Sequence, residues 1–345
     1  MHLLTCWQYK DKMSKQYNYC LDFVKGLACI FVVFMHCEFP GLLGTAVQAI
    51  SRFCVPLFFM VSGYFCFKPE LIIGDGSPLN IKKKVKHVLI ITINACLFYT
   101  IFKVIMALAG NDVSWAISKR GLFTWAIFNQ PVWGGVAGQY WFLFALLYTY
   151  IFYGILMRLG WLKQAYWLAG AMFIVYVVMA QGMHLAGIGV PNMIYRNWLV
   201  EGFAYFMLGH WIHHNQDRLK FDNKILLTIV LVSTLLCWVE RYLMGRDFGV
   251  NIVTIPQVFC LFLYAVNNPT LHKGVIQEIG KRYSMFVYII HPAVWHGLEF
   301  VYAKVGLSEN MPALYAMPII VVILTLIASH IVYMANARLK RLKVQ

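Results

Sequence analysis

Apolar residues occur along the chain in long runs that short polar segments separate. The runs approach the length of about 20 residues that an α-helix needs to cross a bilayer. They cover residues 20–39, 45–67, 86–109, 139–158, 163–181, 195–214, 225–244, 249–268, 281–302 and 313–337. The segment 113–138, rich in tryptophan and glycine, favours an interfacial or re-entrant element instead. The pattern predicts an all-α polytopic membrane protein with about ten transmembrane helices.

Composition supports this prediction. Of the 345 residues, 61% are hydrophobic and 12% are charged, whereas soluble domains average about 45–50% apolar and about 25% charged residues. Because no polar segment is long enough to fold separately, we expect one membrane-embedded domain over residues 1–345. Residues 1–17 form its short cytoplasmic N-terminal segment. The expected location is the inner or plasma membrane of the cell, crossed many times.

The formal net charge is +15 at pH 7. In membrane proteins, lysine and arginine gather in cytoplasmic loops. Placing the N-terminus in the cytoplasm puts most of the basic segments on that side, namely 10–15, 68–86, 158–163, 218–224, 273–282 and 338–343. We therefore predict that both termini are cytoplasmic, and the positive charge needs no nucleic-acid partner to explain it.

The first span carries ionisable side chains on one face. At about 100° and 1.5 Å per residue, Lys25 and His36 lie about 20° apart around the helix and about 16 Å apart along it. Asp22 and Cys29 share this stripe. Ionisable groups are costly in lipid, so the stripe should face a protein interior or a wet cavity and have a function. The alternative is an interfacial Asp22–Lys25 pair with an unrelated packing histidine.

Further ionisable side chains occur in later spans at a similar depth. They are Arg52, Lys103, Glu201, Glu240, Arg241, His291 and His296. Such groups could converge on one site. Because buried charges persist only with partners, the alternative is that Arg52 or Lys103 pairs with Glu201 purely for assembly.

The second span contains PLFFMVSGY, residues 56–64. Pro56 frees a backbone carbonyl, and Ser62-Gly63 lets another helix or a ligand come close. A simple kink with small-residue packing fits equally well, and we favour a role for Ser62 and Gly63 in shaping the helix crossing.

The ninth span, SMFVYIIHPAVWH, has polar and aromatic residues at helical spacing, Ser284, Tyr288, His291 and Trp295. The run Lys82, Lys83, Lys84 and Lys86 could hold phosphates, contact anionic lipid or simply set the topology. The nine cysteines form no C-x-x-C pair, so buried free thiols are favoured over disulfides or zinc. No metal is expected.

These segments together resemble the acyltransferase-3 family of integral membrane proteins. LDFVKGLACIFVVFMH, residues 21–36, resembles the family's opening pattern of Leu-Asp, a basic residue with glycine, and a terminal histidine. PLFFMVSGY resembles its second-span signature. QYWFLFALL at 139–147, EGFAYFMLG at 201–209 and YIIHP at 288–292 resemble later landmarks. The matches extend over nearly the whole chain, as in the stand-alone, surface-polysaccharide O-acetyltransferase type.

The resemblance implies transfer of an acyl group, usually acetyl, from cytoplasmic acyl-coenzyme A to a hydroxyl of a cell-surface carbohydrate or lipid-linked saccharide. His36 corresponds to the family's essential histidine and Lys25 to its partner, where arginine is commoner. The lysine run stands where the family tends to place arginines, although lysine makes no planar bidentate contact with phosphate. Acetyl-coenzyme A is thus the expected donor. The oligomeric state stays open, a homo-oligomer included.

We expect His36 to act as a general base or a transient acyl carrier, supported by Lys25 and Asp22. The donor phosphates are assigned to Lys82, Lys83, Lys84 and Lys86. The residues assigned to the acceptor side are Arg52, Trp141, Glu201, Tyr288 and His291. Arg52, Tyr288 or a freed backbone N–H could stabilise the oxyanion.

A different class of function is a secondary transporter or flippase for a saccharide or lipid-linked substrate. Its buried charges would form a proton or substrate path, and it predicts inverted repeats with broken helices at matching places. The prolines that could break helices, Pro56, Pro256, Pro292 and Pro318, do not mirror one another. A catalytically inactive relative that serves as a sensor or assembly partner is a third hypothesis.

Overall fold

The computed structural model describes residues 17–68, 81–110, 119–129 and 135–342, and every regular element in these ranges is helical. The first four helices are α1 Tyr19–His36, α2 Gly41–Ile50, α3 Cys54–Tyr64 and α4 Ile81–Leu108. The next five are α5 Lys119–Phe128, α6 Trp141–Arg158, α7 Leu162–Val177, α8 Asn192–Tyr195 and α9 Ala204–His214. The last five are α10 Asn223–Met244, α11 Thr254–Asn267, α12 Val275–Glu278, α13 Ser284–Lys304 and α14 Met311–Leu342. The predicted all-α fold is confirmed.

Short turns of other helix types extend several of these helices. Tight 3₁₀ turns occur at Ser51–Phe53, which joins α2 to α3, and at Gly135–Tyr140, which leads into α6. Wider π-helical turns occur at Val178–Gly182, Trp198–Phe203 and Ile279–Tyr283. The second and third of these lead directly into α9 and α13, so these two helices begin earlier than their α-helical parts.

Within the described residues, 7 helical segments are long and apolar enough to cross a membrane. They are Tyr19–His36, Gly41–Tyr64, Ile81–Leu108, Gly138–Arg158, Leu162–Leu185, Asn223–Met244 and Met311–Leu339. The protein is therefore a polytopic membrane protein. The predicted runs 195–214, 249–268 and 281–302 also coincide with helices. Ten crossings with both termini in the cytoplasm stay a prediction.

The segment 113–138 contains one described helix, α5. Its 10 residues make a rod of about 15 Å, which is too short to cross a bilayer. Residues 113–118 and 130–134 of this segment lie outside the described residues. The interfacial or re-entrant element therefore stays a prediction, compatible with the length of α5.

The tightest helix crossing lies between α3 and α9. A Cβ atom built on Gly63 would lie 1.7 Å from the carbonyl oxygen of Phe206, and one on Gly209 would lie 2.0 Å from that of Met60. The two backbones are thus in direct contact, which side chains larger than hydrogen would prevent. The prediction that Ser62-Gly63 shapes a helix crossing is confirmed for Gly63.

Helix α1 lies inside the bundle, where it contacts α2, α3, α11, α12, α13 and α14. Gly280 packs so closely on α1 that its Cβ would lie 1.9 Å from the carbonyl oxygen of Asp22. On the ionisable stripe, Asp22 and Cys29 are buried, at 7% and 2% exposed, and Lys25 and His36 are half-buried. The first span therefore faces protein, as the cost of ionisable groups in lipid requires.

Candidate active site

His36 is the last residue of α1. The helix ends there because Cys37 turns to an extended conformation, and the N–H of Cys37 donates to the carbonyl oxygen of Val33. The side chain of His36 is half-buried. Its ring lies 5.3 Å from that of His291, measured between centroids. Two helices that are far apart in sequence, α1 and α13, thus bring two imidazoles together.

His291 makes one hydrogen bond through its ring. Its Nδ1 lies 2.9 Å from the carbonyl oxygen of Val287, and since a carbonyl only accepts, Nδ1 is the donor. His291 is fully buried, and Nε2 has no hydrogen-bond partner among the described residues. In the neutral form of the ring, Nε2 presents a lone pair beside His36.

A small cavity of about 20 Å³ adjoins His36. His36 lines it together with residues of α1, α3, α6 and α13 and of the segments before α6 and α9. These residues are Val32, Met35, Val55, Phe58, Gln139, Trp141, Phe142, Arg196 and Tyr288. Most of them are apolar or aromatic, with few polar groups, as is typical of small-molecule sites. Trp141 and Tyr288, predicted from the sequence, are therefore brought together with His36.

The hydroxyl of Tyr288 is engaged in a hydrogen bond within the protein. It donates to the carbonyl oxygen of Gln139 at 2.5 Å, and the ring packs edge-on against Phe142 at 5.4 Å. The hydrogen bond fixes the start of α6 against α13. As placed, this hydroxyl does not serve as the oxyanion donor that the sequence suggested, and Tyr288 shapes the wall of the cavity.

Arg196 is the cation that faces this cavity, and it was not among the residues assigned to the site. Its guanidinium lies 4.8 Å from the ring centre of Trp141, a cation–π contact. Its Cδ approaches Gly249 so closely that a Cβ there would lie 3.1 Å away. Gly249 also has φ +87°, a conformation that favours glycine. In the sequence, Arg196 lies at the edge of a predicted span, where charged residues are ordinary. Only its position five residues before Glu201 indicated a role in the site.

Arg52 forms an ion pair with Asp247. The alternative hypothesis that Arg52 pairs with Glu201 is therefore wrong. Only 5% of the Arg52 side chain is exposed, against 32% for Asp247, whose second oxygen accepts from the N–H of Gly249 at 3.0 Å. The loop after α10 thus supplies the counter-charge that keeps Arg52 inside the protein.

Glu201 lies in the π-helical turn that precedes α9, and it is 1% exposed. The side chain of Asn197 caps this turn by accepting from the N–H groups of Leu199 and Val200, both at 3.0 Å. Oxygen Oε2 of Glu201 has no hydrogen-bond partner among the described residues. Arg196 and Arg52 are the cations that act on it. Such π-turns often mark functional sites.

Asp22 and Lys25 lie at the other end of α1. Their side chains pair at 2.7 Å, and the hydroxyl of Tyr17 also donates to Asp22. Because α1 runs without interruption over Tyr19–His36, Lys25 is about 16 Å from His36 along the helix axis. The structure does not bring this pair into contact with the imidazole, and its support of catalysis stays a prediction.

The lysine run occupies the first turns of α4. Lys82, Lys83 and Lys86 are exposed, whereas Lys84 is half-buried and donates to the carbonyl oxygen of Phe65 at 3.2 Å. Phe65 follows α3 and lies about 10 Å along the helix from Phe58, which lines the cavity. The run therefore lies apart from the cavity, and its donor-binding role stays a prediction.

Two comparisons with known proteins are negative: neither the curated proteins nor the solved structures give a match. The family model described as acyltransferase domain, by contrast, matches residues 18–334. This range includes every residue assigned to the site, from Asp22 to His291, and nearly all of the described helices. The chain belongs to the acyltransferase-3 family, and it is a membrane acyltransferase.

Proposed function

We propose that this enzyme transfers an acetyl group from acetyl-coenzyme A to a hydroxyl of a cell-surface glycan or lipid-linked saccharide. One observation carries the proposal: the half-buried imidazole of His36 lines a cavity inside the bundle. An imidazole facing lipid, closed off from any cavity, would have had no route to substrate. The cavity volume of about 20 Å³ holds about one water molecule, so the cavity must widen to admit the acetyl thioester and the reacting hydroxyl.

His36 acts as the general base in this proposal. The hydroxyl oxygen attacks the thioester carbonyl carbon while its proton passes to the imidazole. The resulting tetrahedral oxyanion collapses, the C–S bond breaks, and the imidazolium returns the proton to the leaving thiolate. The products are the acetyl ester and free coenzyme A. His291, with its lone pair at Nε2, would accept a hydrogen bond from the imidazolium and orient it.

Arg196 is the best-placed donor for the oxyanion. The guanidinium of Arg196 lines the cavity over Trp141, and arginine presents several N–H donors in a fixed plane. A preorganised donor of this kind stabilises the charge that develops in the transition state.

The donor phosphates are assigned to the basic groups away from the cavity, the lysine run of α4 and Lys25. The pantetheine arm would extend between the helices and present the thioester at His36, so that the acyl group crosses part of the membrane. The charge pattern predicts the cytoplasmic side for the lysines, where acyl-coenzyme A is available.

The experiment measures release of free thiol from acetyl-coenzyme A by the purified full-length protein, with and without added saccharide acceptors. We expect His36→Ala and His36→Gln to abolish release, whereas His330→Ala, a change at an exposed histidine bonded to Tyr283, should leave it unchanged. Exchange of labelled coenzyme A in the absence of acceptor would indicate an acyl carrier instead of a base. Full activity of both His36 variants, or saccharide transport without thiol release, would refute the proposal.

A further inference from the structure

A second, larger concavity lies at the far end of the bundle from His36. Its volume is about 530 Å³, and it is lined by Lys281, Arg282, Phe286, Tyr333, Asn336 and Ala337. These residues come from the π-turn before α13, from α13 itself and from the last turns of α14. The π-turn packs on the start of α1 through Gly280 and Asp22, about 21 Å along the helix from His36. We call this concavity the α13–α14 groove.

The polar wall of the groove carries more positive than negative charge. Glu278 is the acid beside it, with Arg282 at 2.5 Å and Lys281 at 4.0 Å. One carboxylate thus partly offsets two cations. Lys281 and Arg282 are 39% and 44% exposed, so both heads can reach a ligand. Arg341, one helical turn beyond Ala337 and exposed, adds positive charge at the same end of α14.

The other wall of the groove is apolar and aromatic. The rings of Phe286 and Tyr333 lie 6.5 Å apart, and the Arg282 guanidinium lies 6.0 Å from the centre of Tyr333. Beside the groove, α14 exposes apolar side chains at helical spacing. These are Ile323, Ile327, Ile331 and Met334, each at least 41% exposed. A ligand that fits both features carries a negative charge at one end, for the cations, and an apolar part at the other, for the exposed row.

We propose that the α13–α14 groove binds an anionic phospholipid. Its phosphate contacts Lys281 and Arg282, its glycerol region packs on Tyr333, and its acyl chains follow the exposed row of α14. Basic pockets between transmembrane helices at the membrane boundary are suited to acidic headgroups. A lipid fits better than the soluble acyl donor because the groove adjoins the exposed apolar face of α14, which long acyl chains cover and an acetyl group does not.

The test uses the full-length protein, purified in detergent and stripped of lipid, and titrates it with short-chain phosphatidylglycerol or phosphatidylcholine. Native mass spectrometry counts the bound lipids. The double variant Lys281→Gln/Arg282→Gln should lower the phosphatidylglycerol affinity by about 30-fold, since each of the two basic residues contributes on the order of 1 kcal/mol and about 1.4 kcal/mol corresponds to tenfold. The matched control, Lys220→Gln/Lys224→Gln, removes two exposed lysines elsewhere and should leave the affinity unchanged.

A third variant tests whether misfolding explains a loss of lipid affinity in the double variant. Glu278→Gln removes the competing carboxylate and should raise the phosphatidylglycerol affinity, which damage to the fold would not do. Three results would overturn the proposal: equal affinity for the two lipids, an equal loss in the control variant, or displacement of the lipid by coenzyme A. The last would assign the groove to a soluble phosphate compound.

Discussion

The contact between α3 and α9 gives the sharpest prediction about stability. Gly63→Ala places a methyl group 1.7 Å from the carbonyl oxygen of Phe206, half of the 3.4 Å at which ordinary contact begins. The obstacle is backbone, which no rotamer change can move. Overpacking a core costs about 1–3 kcal/mol, and because two helix backbones must separate here, we expect a loss near or above about 3 kcal/mol.

The matched control is Gly297→Ala on α13. A Cβ at Gly297 meets nothing within 4 Å, and alanine is favoured over glycine inside a helix by about 1 kcal/mol. The same chemical change should therefore destabilise the protein at Gly63 and slightly stabilise it at Gly297. The opposite signs separate steric conflict from any general effect of adding a methyl group.

The assay is thermal unfolding in detergent, followed with a thiol-reactive fluorophore. Cys54 and Cys66, which flank the crossing at the two ends of α3, are fully buried, and most of the other described cysteines are buried too, so the dye signal rises mainly when the protein unfolds. We expect Gly63→Ala to melt several degrees below the parent protein and Gly297→Ala at or above it. Equal melting temperatures for the two variants would refute the close approach of α3 and α9.

Two further predictions concern the charges near the cavity. Asp247→Asn leaves the buried Arg52 without its counter-charge; it should cost about 2 kcal/mol, less than the ~3–5 kcal/mol of a fully buried pair because the carboxylate is partly exposed. The melting temperature measures this, and Glu309→Gln in an exposed loop is the control. Arg196→Lys keeps the charge but loses the planar set of donors, so kcat should fall by about 100-fold in the thiol-release assay. Arg246→Lys, outside the cavity lining, should retain activity; equal rates for both lysine variants would remove Arg196 from the reaction.

Most of the fold was predictable because the constraint that a membrane places on the backbone acts within each segment. Backbone groups inside lipid must be bonded within the same segment, so a long apolar run is by itself strong evidence for a helix. All ten predicted runs coincide with helices of the structure. The predicted run 281–302 contains Pro292, and α13 continues through this proline.

The candidate site was predictable only in part. His36 stood out because an imidazole inside an apolar run is expensive, and the same argument pointed to His291 and Glu201. Arg196 and Asp247 carried no such signal, since both lie at the ends of spans, where charged residues are ordinary. Their importance depends on which neighbours they meet, and a single sequence does not contain that information.

The sequence by itself determined the all-α membrane architecture, the family and the two histidines, because hydrophobic length and the cost of buried charge are properties of each segment alone. Only the tertiary structure decided that Arg52 pairs with Asp247, 195 residues away, and that Arg196 stacks over Trp141. Ion-pair and cation–π energies fall steeply with distance. The partners are therefore set by how the helices pack and not by their order in the chain.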